Sequence, residues 1–73
     1  MKVLSHEQEL LTEYLIAVQM PLAKRMYIVG ILWEEEATME MLKYLVKTRE
    51  TDQAKLYSTA CEISERYKSE TEE

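Results

Sequence analysis

Apolar residues recur along this chain at helical spacing, in four blocks separated by polar or punctuating residues. In the first block Leu11, Tyr14, Leu15 and Val18 fall at i, i+3, i+4 and i+7 and form one face. Leu10 and Ala17 widen it, while Thr12, Glu13 and Gln19 lie outside it. Ser5 is a good N-cap, Gln8 can complete a capping box, and Glu7 and Glu9 suit the positive end of the helix dipole. The pattern predicts a helix over about 5–19. Pro21 then disfavours helical backbone at Met20 and fits the first turn of a new helix.

In the second block Leu22, Met26, Val29 and Trp33 recur at i, i+4, i+7 and i+11, with Lys24 and Arg25 off the stripe. The β-branched Ile28, Val29 and Ile31 raise a rival reading as a short buried strand. A lone strand in so short a chain has nothing to pair with unless a second copy supplies it, so the helix is preferred. Gly30 costs about 1 kcal/mol against Ala if it lies mid-helix, and a break near 31–33 is expected. Glu34, Glu35 and Glu36 suit the opening of a third helix, over about 34–48. Ala37, Met41, Leu42, Tyr44 and Leu45 give its apolar face, with Met39 and Val46 beside it. A fourth helix is expected over about 52–67, with Thr51 as its N-cap and Leu56, Ala60, Ile63 and Tyr67 as its stripe. Residues 68–73 carry no apolar anchor and are expected to fray as an acidic tail.

The expected fold is therefore all-α: one domain over 1–73, a small bundle of three to four antiparallel helices, completed by dimerisation. The expected core draws on Leu11, Leu15, Val18, Leu22, Met26, Val29, Leu42, Leu45, Leu56, Ala60 and Ile63. Composition agrees. With one Gly, one Pro, no Asn and Asp52 as the only Asp, the chain lacks the turn residues an all-β domain consumes. Dimerisation enters through size. A chain of 73 residues buries only about 60% of its unfolded surface. Cys61 is the only cysteine and His6 the only histidine, so an intrachain disulfide is excluded and a His-based metal site would need several chains. A partner chain is the staple that remains. Residues 26–33 are apolar all round apart from the Tyr27 hydroxyl and the Trp33 indole N–H, and such a helix must be covered on every side. Residues 39–46 raise the same difficulty. Met26, Val29, Trp33, Met41, Tyr44 and Leu45 are the expected interface residues, in a C2 homodimer.

Candidate chemistry is sparse. Glu34, Glu35, Glu36 and Glu40 are dense, but no Glu-x-x-His pair accompanies them, and they read as a solvated helix start rather than a metal site. Cys61 lies beside an apolar stripe and reads as a small buried hydrophobe. One glycine excludes a Gly-rich phosphate loop, and no serine sits in a nucleophile elbow. No catalytic residue, metal or cofactor is expected, and the chain reads as a non-enzymatic protein-protein interaction module. Met20, Met26, Met39 and Met41 are adaptable surface or core filler.

The net charge of −5 divides into −2 over 1–20, zero over 21–50 and −3 over 51–73. A negative chain repels nucleic-acid phosphate. The third and fourth helices nonetheless stand in helix-turn-helix order, with Lys43, Lys47, Arg49 and Lys55 collected around the turn. A small DNA-binding regulator using the basic residues around 43–55 is the alternative function. Asp52, Glu62 and Glu65 on its would-be recognition helix oppose it. The longest purely apolar run, 26–33, is far short of the roughly 20 residues of a transmembrane helix. A lone thiol and no export signal in the first residues give an expected cytoplasmic location.

Overall fold

In the computed structural model, residues 5–71 are described, with side chains to residue 67. They form four helices and no strand: α1 His6–Ala17, α2 Leu22–Ile31, α3 Glu35–Thr48 and α4 Gln53–Thr71. The all-α expectation holds, and so do the three junctions. The four helices close into a ring in which α1 packs on α2 and α3, and α4 also packs on α2 and α3. The radius of gyration is 11.6 Å, close to the roughly 11 Å of a folded domain of this length, so a core closes within one chain.

Local chemistry sets the ends. The Ser5 hydroxyl accepts from the Gln8 N–H at 3.2 Å while Gln8 Oε1 accepts from the Ser5 N–H at 3.0 Å, a complete capping box. At the far end of α1 the Gln19 N–H reaches the Ile16 carbonyl and the Met20 N–H reaches that of Leu15, the paired bonds of a Schellman turn. That turn needs a left-handed residue, and Gln19 supplies it at φ 64° in place of glycine. Arg49, at φ 54°, is the left-handed residue at the end of α3, where a single bond runs from its N–H to the Leu45 carbonyl. The cap of α4 differs from expectation: Asp52, not Thr51, is the capping residue. Its Oδ1 accepts from the N–H groups of Ala54 and Lys55 at 2.9 and 3.4 Å. Helix α4 also runs past residue 67 to Thr71, because no Gly or Pro follows to end it. Residues 72 and 73 of the expected frayed tail lie outside the described residues.

The core consists of Leu11, Leu15, Met20, Ile28, Val29, Leu32, Ala37, Met41, Leu45, Leu56, Ala60 and Ile63. The expected stripes of α1 and α4 are there, with Val18 and Leu42 half-buried against it. Helix α2 corrects the expectation: Leu22 and Met26 are 59% and 63% exposed, and Ile28 and Leu32 are buried in their place. The inward face is Arg25, Ile28, Val29 and Leu32, again i, i+3, i+4 and i+7. A helix apolar on every side carries two complete stripes, and periodicity alone does not choose between them. Arg25 is accommodated at the edge because its guanidinium donates to the Met20 carbonyl at 3.3 Å.

Side-chain amides and hydroxyls tie the loops to the bundle. Gln8 Nε2 donates to the Trp33 carbonyl at 3.0 Å, and the Tyr14 hydroxyl to the Glu50 carbonyl at 2.7 Å. Gln53 Nε2 bridges the carbonyls of Val18 and Gln19 at 3.0 and 3.1 Å. The buried Thr38 hydroxyl donates to the Leu32 carbonyl and closes the corner between α2 and α3.

Two outcomes follow for stability. Gln8→Glu keeps the cap acceptor but removes the donor to Trp33, and should cost about 1–3 kcal/mol in urea unfolding. Gln19→Gly relieves the left-handed strain. Gly30→Ala adds a methyl that meets nothing within 4 Å. Each should raise stability by about 1 kcal/mol at low protein concentration, and a loss from either would show that its backbone has been misassigned.

Candidate interaction surface

Of the six expected interface residues, the structure brings together three. Met26, Val29 and Trp33 line one shallow groove of about 330 Å³, together with Leu22, Arg25 and Gly30 of α2 and Thr12 of α1. Leu22, Met26 and Trp33 are exposed, and Val29 forms the floor. Ile16, one turn beyond Thr12 on α1 and half exposed, extends the apolar border. Met41, Tyr44 and Leu45 are not part of it. Met41 and Leu45 are buried in the chain's own core, and Tyr44 is half-buried against it. The reason is that α3 is covered on one side by α1 and on another by α4, so its wide apolar face is largely used within the chain. What α3 leaves outside is Met39, 40% exposed, and Val46, 73% exposed.

Those two residues, part of the 39–46 segment expected to need covering but not among the six named interface residues, open a second groove of about 460 Å³ between α3 and α1. Leu10, Met39, Leu42 and Val46 supply its apolar lining; Lys43 and Lys47 border it on α3, and His6 and Glu7 on α1. Leu10 belongs to the expected α1 face but is 43% exposed, at the edge where α3 stops covering it. A third small exposed patch holds Tyr27 and Tyr57, stacked with ring centroids 5.6 Å apart and ring planes at 23°. Interaction with Tyr27 pushes the Tyr57 hydroxyl above its ordinary pKa.

The carboxylates expected to be a solvated helix start are divided in role. Glu35 and Glu36 occupy the first turn of α3, and Glu34 precedes it without a side-chain cap bond. Glu40 instead binds α4: its Oε1 accepts from the Tyr67 hydroxyl at 2.9 Å and its Oε2 from Arg66 at 2.5 Å. The Tyr67 hydrogen bond first, then Arg66, holds the Glu40 carboxyl below its usual range, and the same bond pushes Tyr67 up. Arg66 is thus drawn across to α3. Among the described residues no group of three or more His, Cys, Asp or Glu could hold a metal ion. Cys61 is half-buried on α4 and His6 is exposed at the start of α1. No helix among the described residues is long and apolar enough to cross a membrane.

The basic residues of the helix-turn-helix reading are all exposed, but they do not share one element's face with the turn to themselves. Lys43 and Lys47 border the α1–α3 groove. In the turn, the Asp52 N–H is held by the Glu50 carboxylate at 3.1 Å, placing two acidic side chains between Arg49 and Lys55. The Gln53 amide at the start of α4 is occupied by α1 carbonyls. No protein-family model, curated protein or solved structure matches the chain.

The Glu40 cluster generates a pH dependence. A carboxyl whose folded pKa is depressed contributes stability above its unfolded value of about 4.3 and loses it as pH falls through the folded value. Tyr67, raised, contributes below about 10 and loses it as pH rises. The stability gap between wild type and Glu40→Gln should therefore be widest near neutrality and close on both limbs. A gap that does not narrow at all as the pH falls below the ordinary carboxylate range would show that the charge on Glu40 does not contribute.

Proposed function

We propose that the protein is a non-enzymatic interaction module that acts as a homodimer, with the exposed stripe of α2 as its self-contact. One observation carries this reading: Leu22, Met26, Val29 and Trp33 form a full helical stripe suited to burial, yet three of the four stand open on the surface. Soluble monomers seldom expose contiguous apolar patches of this kind. The stripe has no carboxylate, and its one cation, Arg25, is drawn aside to the Met20 carbonyl. The stripe therefore carries one cation per copy, and a two-fold axis through Met26 and Val29 rather than through Arg25 would keep the two guanidinium groups apart; C2 is the commonest symmetry. Gly30 supports the same reading. It lies in the last turn of α2 with open space above it, where the missing side chain lets a second backbone approach closely. A standard interface takes about 800 Å² from each partner, a modest share of the 5174 Å² surface. The same reading places the module in the cytoplasm, where a lone thiol stays reduced.

Sedimentation equilibrium at micromolar concentration tests this. Wild type should give the dimer mass, and Met26→Glu, which puts an unpaired charge on each side of the contact, should give a monomer with unchanged helix content. A wild-type monomer whose unfolding midpoint is independent of concentration would refute the reading. Salt-sensitive micromolar binding to duplex DNA, weakened by Arg49→Glu or Lys55→Glu, would assign the chain to the regulator class instead.

A further inference from the structure

We infer that the groove between α1 and α3 is a docking site for an acidic amphipathic helix of another protein, recognised by the apolar floor around Leu42 and Val46 and by the paired cations Lys43 and Lys47. The two surfaces are separate: α2 supplies none of the residues that line this groove, so the inference does not depend on dimerisation.

Val46 is the most exposed large hydrophobe on α3 at 73%, and Met39, Leu10 and Leu42 continue its apolar surface. Met39 adds an adaptable side chain that can follow the contour of an incoming residue. The volume of about 460 Å³ suits side-chain anchors presented at i, i+3 and i+4 from a helix laid into the groove.

Charge names the occupant. Lys43 and Lys47 lie one helical turn apart on α3 and border the groove together. In a chain of net charge −5 this paired basic edge stands out. The α3 carboxylate nearest in sequence, Glu40, is hydrogen-bonded to Arg66 and Tyr67 of α4; Lys43 lies near it, lining a neighbouring hollow with Glu36 and Glu40, but makes no ion pair with either. Glu50, beyond the end of α3, is bonded to the Asp52 N–H. Neither lysine has a salt-bridge partner among the described residues. A partner helix with carboxylates one turn apart along one flank would meet both cations. Glu7, across the groove on α1, would face the partner's other flank, where a carboxylate is excluded and a cation is favoured. That asymmetry also fixes the direction in which the helix lies. A second copy of this chain fits less well: a two-fold axis across the groove would bring the Lys43–Lys47 edges together, and an axis along it would offer the two lysines only Glu7, a single carboxylate, beside His6.

The test is a selection followed by mapping. A displayed library of 16-residue helices, with Leu fixed on one face and the flanks varied among Glu, Lys and Gln, is selected on the full chain. Binders should carry Glu one turn apart on a single flank. They should shift the methyl resonances of Leu10, Leu42 and Val46 and leave Met26 undisturbed. Lys43→Glu with Lys47→Glu, both exposed substitutions, should weaken the selected peptide by about tenfold or more and favour its Lys-flanked counterpart. Four outcomes would overturn the inference: no binders, binders without acidic flanks, shifts confined to the α2 stripe, or the double variant binding as tightly as wild type. Sedimentation with anionic phosphatidylglycerol vesicles, lost in the double variant, would overturn it as well and assign the lysine edge to a lipid surface.

Discussion

Each of the four helices meets two neighbours, and that limited coverage governs the rest of the structure. A helix flanked on two sides keeps at least one side open, whatever its sequence. For α1 and α4 the open side is mostly polar, and a single stripe turns inward. For α2 the open side is apolar. Ile28, Val29 and Leu32 face the core, so Leu22, Met26 and Trp33 face out. Rotating α2 to bury the second stripe would expose the first. The exposed apolar surface is therefore a consequence of helix number.

The ring is held at its corners by groups that act on backbone carbonyls. Gln8, Tyr14, Thr38 and Gln53 each donate to a carbonyl at or beside an interhelical connection. These bonds let the connections stay short in a chain with a single glycine. They also explain how left-handed backbone is tolerated at Gln19: its N–H and carbonyl are both engaged, by Ile16 and by Gln53. Strain of about 1–2 kcal/mol at such a residue persists only where surrounding contacts hold it.

Legibility in the sequence follows the same physics. Helix α4 was readable because mostly polar residues flank its stripe and fix its phase, and α1 because its cap and its Leu11–Leu15 pair fix where the stripe begins, although Leu10 and Ile16 stay exposed; Leu11, Leu15, Leu56, Ala60 and Ile63 all reach the core. The capping box at Ser5 was readable because it is local. In α2 the phase was not readable, and the expected core residues Leu22 and Met26 became the candidate surface. In α3 the error ran the other way: Met41, expected at an interface, and Leu45, expected both there and in the core, are enclosed by α1 and α4. The α1–α3 groove was not foreseen, because it depends on where α1 ceases to cover Met39 and Val46. Long-range bonds such as Gln8 to Trp33 leave no mark in spacing at all.

Helix α1 lies between the two open surfaces. It contributes Thr12 to the groove on α2 and His6, Glu7 and Leu10 to the groove on α3. Its buried residues Leu11 and Leu15 belong to the one core beneath both. An occupant of either groove therefore presses on the same helix, whose start is fixed by the Ser5–Gln8 box and whose end is fixed by the Schellman turn. A helix capped at both ends and tied to Trp33 by Gln8 resists displacement, so two occupants would bind with little structural coupling. Their difference lies in chemistry: one surface is an apolar stripe with a single cation, Arg25, at its side, while the other has a two-lysine edge whose contacts would be weakened by salt.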